Sequence, residues 1–170
     1  VSMLPKLTEL LRSQKDQVSL EALWAIHLIG GFDEKIAIEG LRHENPFVRM
    51  WTVRLLGDKD RISDNEARAL TEISINENNV EVRSQLAASA KRMQGSVGLL
   101  ILKNLLLHHD DSEDPDIPFQ IWWALESKAE SHRSEIIEIF RNRKLWKKPL
   151  VTEVLLERLM QRYIVSSEQE

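Results

Sequence analysis

The chain contains no cysteine, which excludes a disulfide framework, a Cys-ligated zinc site and a thioether-linked haem within this segment. Glycine and proline are scarce, six and five in 170 residues, and no stretch alternates β-branched or aromatic residues with polar ones in the manner of strands. Long apolar runs are missing as well. The longest uninterrupted one, Leu99 to Leu102, is far short of the roughly 20 residues that cross a bilayer, so no membrane insertion is expected. Positive charge is not in excess: 23 Lys and Arg face 27 Asp and Glu, for a net charge of −4, which argues against a general nucleic-acid binder. The opening residues Val1-Ser2-Met3-Leu4-Pro5 lack the charged and apolar regions of a signal peptide. They read as a cut within a longer chain, and residues 1–170 are expected to form one repeat domain.

What the chain does contain is repetition. The segment from Asn45 (Asn-Pro-Phe-Val-Arg-Met-Trp-Thr-Val-Arg-Leu-Leu) is echoed from Asn79, from Asp114 and from Lys148, and Trp24-Ala25-Ile26-His27-Leu28-Ile29-Gly30 matches Trp51 to Gly57. A period of this size marks stacked supersecondary units. Apolar residues fall at helical spacing in each copy, which predicts that Val48, Leu55, Val82, Leu86, Ile121, Leu125, Leu155 and Leu159 are buried. Asn45-Pro46 and Asp114-Pro115 pair a capping side chain with a proline whose missing N–H costs nothing at a helix start. Between the copies lie partner helices near 3–13, 33–42, 63–76, 96–107 and 131–142. Ser63-Asp64-Asn65-Glu66 has the form of a capping box, and Gly30-Gly31, Gly57 and Gly95 stand where helices should stop. The predicted fold is all-α, a stack of about five antiparallel helix pairs in which each pair completes the core of its neighbours.

The openings Asn45 to Arg49 and Asn79 to Arg83, each Asn-x-x-Val-Arg, resemble HEAT repeats, where this pattern begins the second helix of a pair. The resemblance implies an α-α superhelix and a ladder in which the arginine bonds an acidic or amide residue of the adjoining repeat. It carries over to Asn45, Arg49, Asn79 and Arg83. Pro118 and Thr152 occupy the matching later positions, so the ladder is expected to stop midway. The runs Val82 to Ala87, Ile117 to Glu126 and Leu156 to Met160 are similar to the HEAT segment of large secreted bacterial proteins that join a dehydrogenase-like propeller to a c-type haem domain. That likeness implies a periplasmic or extracellular location and a parent chain with oxidoreductase chemistry housed outside this segment.

Four groups of residues invite a functional reading. His108-His109-Asp110-Asp111-Ser112-Glu113-Asp114-Pro115-Asp116 gathers metal-ligating types, with His108, His109, Asp110 and Asp111 the candidate ligands. It lacks the spacing of a calcium loop or of a helical zinc pair, and a solvated loop ending in an acidic cap is the plainer reading. Arg141 to Lys148 is a basic cluster around Trp146, suited to phosphate groups or an acidic partner, or simply to the negative end of the preceding helix. Trp24, Trp51, Trp122 and Trp123 fall in corresponding turns of the repeated helices; Trp122 and Trp123 lie about 100° apart on one helix, so one of them can face outward, and at least three of the four are expected in the core. No Gly-x-Ser-x-Gly, phosphate-cradling loop or His-Glu-x-x-His occurs.

These features favour a non-catalytic protein-interaction or spacer module, with no cofactor, whose partners are other domains or a separate protein. An enzymatic alternative, a HEAT-type bilin lyase or lyase chaperone, would draw on His27 or Glu126. A nucleic-acid-binding HEAT protein would need a basic concave face, which the net charge disfavours.

Overall fold

A computed structural model describes residues 3–13 and 15–167; Val1, Ser2, Gln14 and the end of the polar tail, Glu168 to Glu170, lie outside the described residues. Ten α-helices follow one another among the described residues: α1 (Leu4–Ser13), α2 (Gln17–Leu28), α3 (Glu34–Leu41), α4 (Pro46–Gly57), α5 (Asp64–Asn76), α6 (Val80–Ala90), α7 (Gly95–His108), α8 (Ile117–Glu126), α9 (Arg133–Phe140) and α10 (Leu156–Ser167). A 3-10 turn (Leu145–Lys147) precedes a wide-turned π-helical segment (Leu150–Leu155) that runs directly into α10. No strand occurs among the described residues, and the protein is all-α.

Helix starts follow side-chain chemistry. The Asn45 side chain accepts from the Phe47 N–H at 2.9 Å, with Pro46 as the first helical residue. Asn79 accepts from both Glu81 and Val82 N–H groups. The Ser63–Glu66 capping box is complete, each side chain taking one backbone N–H of the other, so two otherwise orphaned donors are satisfied. Two expected boundaries shift. Gly95 opens α7 instead of closing α6. The Asp114 carboxylate does cap, accepting from Asp116 and Ile117 N–H groups, but helical geometry begins only at Ile117, beyond the anticipated start at Pro115.

The helices form two rows. The helices α3, α5, α7 and α9 each pack on the next, as do α2, α4, α6, α8 and the Leu150–Leu155 segment, while α1–α2, α3–α4, α6–α7 and α7–α8 tie the rows together. All eight residues expected in the core are buried. The main cluster extends from Ala37 in α3 to Leu159 in α10, and a smaller one joins Leu11, Leu23, Ile26 and Val48 at the amino-terminal end. At Gly98 the rows meet against backbone: a Cβ there would stand 2.5 Å from the Ala90 carbonyl oxygen. Only a glycine lets α7 approach α6 this closely.

The tryptophans depart from expectation. Trp122 alone of the four is buried; Trp24 and Trp51 are half-buried and meet edge to face with ring centroids 5.1 Å apart, and Trp123 is 52% exposed. In α2 and α4 the rings lie at the edge of the smaller core cluster, against which Trp51 packs. There the rings cover one another.

Candidate functional site

Where α3 leads into α4, and again where α5 leads into α6, an arginine ties three segments together. The Arg49 guanidinium donates from Nε and Nη2 to the two carboxylate oxygens of Glu77, both at 2.7 Å, and from Nη1 to the carbonyls of His43 and Glu44. Arg83, 34 residues further on, repeats the set. It donates to the Asp111 carboxylate from Nε and Nη2, and from Nη1 to the carbonyls of Glu77 and Asn78. Glu77 therefore belongs to both units, its side chain held by Arg49 and its carbonyl by Arg83. Forked, charge-assisted pairing of this kind is among the stronger polar contacts a protein makes. Asn45 and Asn79, the other ladder residues, serve as helix caps. At the later position Thr152 bonds the Lys148 and Pro149 carbonyls of its own turn. A further bidentate pair, Arg12 with Glu39 at 2.8 Å, joins α1 to α3 at the surface.

The acidic stretch is spent on this framework. Asp111 is buried against Arg83, His109 donates from Nε2 to the Ser74 carbonyl near the end of α5, Asp110 accepts from Ser112, and Asp114 caps α8. Among the described residues no three His, Cys, Asp or Glu side chains converge as a metal-binding group. The loop is not simply solvated either, because its centre is an ion pair closed off from water.

Electrostatics follow burial. Burial alone would raise the Glu77 pKa, but the Arg49 hydrogen bonds, the Asn79 N–H and the charges of Arg49 and Arg83 outweigh it, and the carboxyl sits below its ordinary value of 4.5. Burial pushes the His109 imidazole below 6.5; the Arg83 charge adds to this, while the Ser74 bond and Asp111 oppose it. Both folded-state pKa values are depressed, so the unfolded chain binds these protons first. Stability contributed by His109 is complete above pH 6.5 and declines as pH falls below it. That contributed by Glu77 is complete above pH 4.5 and is lost as pH falls further. Urea midpoints measured from pH 8 downward should drop in these two windows, and the His109→Gln variant, which keeps a donor for Ser74, should lose the first drop alone. An unchanged first window in that variant would remove His109 from the account.

A buried ammonium closes the end of α6. Lys128 donates to the Lys91 carbonyl at 3.0 Å and the Met93 carbonyl at 3.2 Å, and burial lowers its pKa. The cation sits where the helix dipole is negative. Lys148 plays the same part for α7, donating to the His109 carbonyl at 3.1 Å.

The two residues singled out for acid–base work are not brought together. His27 stands exposed near the end of α2, edge-on to Phe32. Glu126 ends α8 beside a shallow hollow lined by Trp122 and Arg158. The rows place α4 and α6 between them.

The basic cluster has a distinct setting. Trp146 donates from its indole nitrogen to the Phe140 carbonyl, at the end of α9, over 2.7 Å, and the residue is 54% exposed. It borders a groove of about 740 Å³ between α9 and α10, whose floor includes Phe140, Leu156, Leu159 and Tyr163. Arg141, Arg143 and Lys147 stand at its rim. Nothing in the helical periodicity of the sequence announces this groove. The basic cluster marks one edge of it in the sequence, but the exposure of Ile137 and Met160 is seen only in the folded chain.

Comparison with known proteins finds no matching family model, no matching curated sequence and no matching solved structure.

Proposed function

We propose that the chain is a non-catalytic protein-interaction and spacer module, built as a HEAT-like superhelix and belonging to a larger secreted multidomain protein. The observation that carries this reading is the recurrence of one set of arginine contacts 34 residues apart. A clamp present twice at the period of the helices fixes consecutive units through the middle of the chain, which favours holding two partners at a set separation. The exposed apolar groove at the carboxyl-terminal end supplies a place for a partner to attach.

Because the chain has no cysteine, two can be introduced for site-specific dyes. Lys6→Cys in α1 and Glu153→Cys ahead of α10 place them on exposed positions towards opposite ends of the rows. Single-molecule energy transfer should give one narrow distance distribution, unchanged between low and moderate salt. Arg83→Ala in the same background should broaden it. A distribution in the parent as wide as that of the urea-unfolded chain would defeat the spacer reading.

A further inference from the structure

The groove between α9 and α10 combines three properties that together define an occupant. Its floor is apolar and runs along two helices. On α10 the lining residues Leu156, Leu159, Met160 and Tyr163 fall at helical spacing, which sets a stripe about 10 Å long at 1.5 Å per residue. A second helix presenting apolar residues at i, i+4 and i+7 has a stripe of the same length. Several large apolar side chains here face water, Met160 at 63% and Ile137 at 43% exposed, an arrangement that typically marks a contact surface.

The rim is of one sign. Arg141, Arg143 and Lys147 line the groove, and no carboxylate does so among the described residues. Arg141 pairs with the exposed Glu138 beside it on the same face of the chain; Arg143 and Lys147 have no ion-pair partner among the described residues. In a chain of net charge −4, a local field of this kind selects the partner's charge.

We infer that this groove docks an amphipathic helix of a partner protein, with its apolar stripe on the floor and glutamate or aspartate side chains on its flanks meeting Arg141, Arg143 and Lys147. The inference rests on the interaction-module reading and gives that module's partner a chemistry. Shape separates the helix from a lipid surface: two helices bordering a recess receive a rod, whereas a bilayer requires a protruding or flat apolar face.

The test uses the full 170-residue chain and three fluorescein-labelled helical peptides of about five turns. They share one leucine stripe at i, i+4, i+7 and i+11 and carry glutamate, glutamine or lysine on the flanks. Fluorescence anisotropy should show the glutamate peptide binding roughly tenfold more tightly than the glutamine one, with the advantage shrinking as salt is raised. The lysine peptide should not saturate. Met160→Glu should abolish binding of the glutamate peptide, and Arg143→Glu should remove its advantage over the glutamine peptide. Both substitutions are at exposed positions, and unchanged far-ultraviolet circular dichroism would confirm intact folding. Equal affinity for the glutamate and glutamine peptides would overturn the acidic partner while leaving an interaction module standing. Binding insensitive to Met160→Glu, or no binding by any peptide, would remove the groove as a docking site. Co-sedimentation with phosphatidylserine vesicles in the absence of peptide binding would assign the surface to lipid and overturn the inference.

Discussion

Asp111→Ala is expected to destabilise the chain by about 3–5 kcal/mol. The substitution leaves the Arg83 guanidinium, itself largely covered, without its carboxylate. An uncompensated buried charge is far costlier than a missing surface pair, which is worth no more than about 1 kcal/mol. Arg83 would keep its bonds to the Glu77 and Asn78 carbonyls, so relaxation into solvent would have to break those too. Removing both charges in Arg83→Met/Asp111→Leu should cost clearly less than the single substitution, because the pair no longer has to be desolvated. Urea denaturation of the three proteins at neutral pH decides it. A loss under about 1 kcal/mol for Asp111→Ala would mean that water reaches the pair and that the clamp contributes little.

Leu86→Ala should cost about 2–5 kcal/mol. The side chain is fully buried in α6 within the main cluster, and α6 packs on α4, α7 and α8. A cavity there is walled from several directions, so the surroundings can close on it only in part. Leu10→Ala is the informative comparison. Leu10 is only partly buried and packs in the smaller amino-terminal cluster, where α1 is held chiefly by α2. Its truncation should cost clearly less than that of Leu86. In a structure whose stability is a sum of neighbour terms, position along the stack sets the penalty. If Leu10→Ala proved the costlier, the chain would behave as one closed globule.

The recurrence of Asn-x-x-Val-Arg makes the helix phase, the buried residues and the two arginines legible from the sequence alone. The arginines' partners do not follow from that motif, although a signal exists: Glu77 follows Arg49 by 28 residues, and Asp111 follows Arg83 by the same interval. Among its acidic neighbours Asp111 suggests a metal ligand, whereas its actual role is to hold a guanidinium. Composition describes a loop's residue types; which of them faces inward depends on an arginine arriving from a helix well upstream. The tryptophans mislead for a related cause. Helical periodicity locates a stripe on one helix but cannot tell whether that stripe meets a neighbouring row or the rim of the stack. The groove between α9 and α10 is illegible in the same way, since the exposure of Met160 depends on how far apart two helices stand.

The double use of Glu77 restricts how such a chain can change in length. Each arginine grips the carbonyls five and six positions before it as well as a side chain of the next turn region: Arg49 reaches back to Glu44 and His43, Arg83 to Asn78 and Glu77. One residue inserted between Glu77 and Arg83 would pull the Glu77 carbonyl out of reach of Arg83, and accommodating it backwards would drag the Glu77 carboxylate from Arg49. The α5–α6 connection is thus intolerant of insertion or deletion. The α4–α5 connection, Asp58 to Ser63, is gripped through side chains instead, the buried Glu66 carboxylate accepting from the Ser63 N–H and the Lys59 ammonium; Lys59 reaches it on a flexible stem, so an added residue there should be borne more readily than one between Glu77 and Arg83.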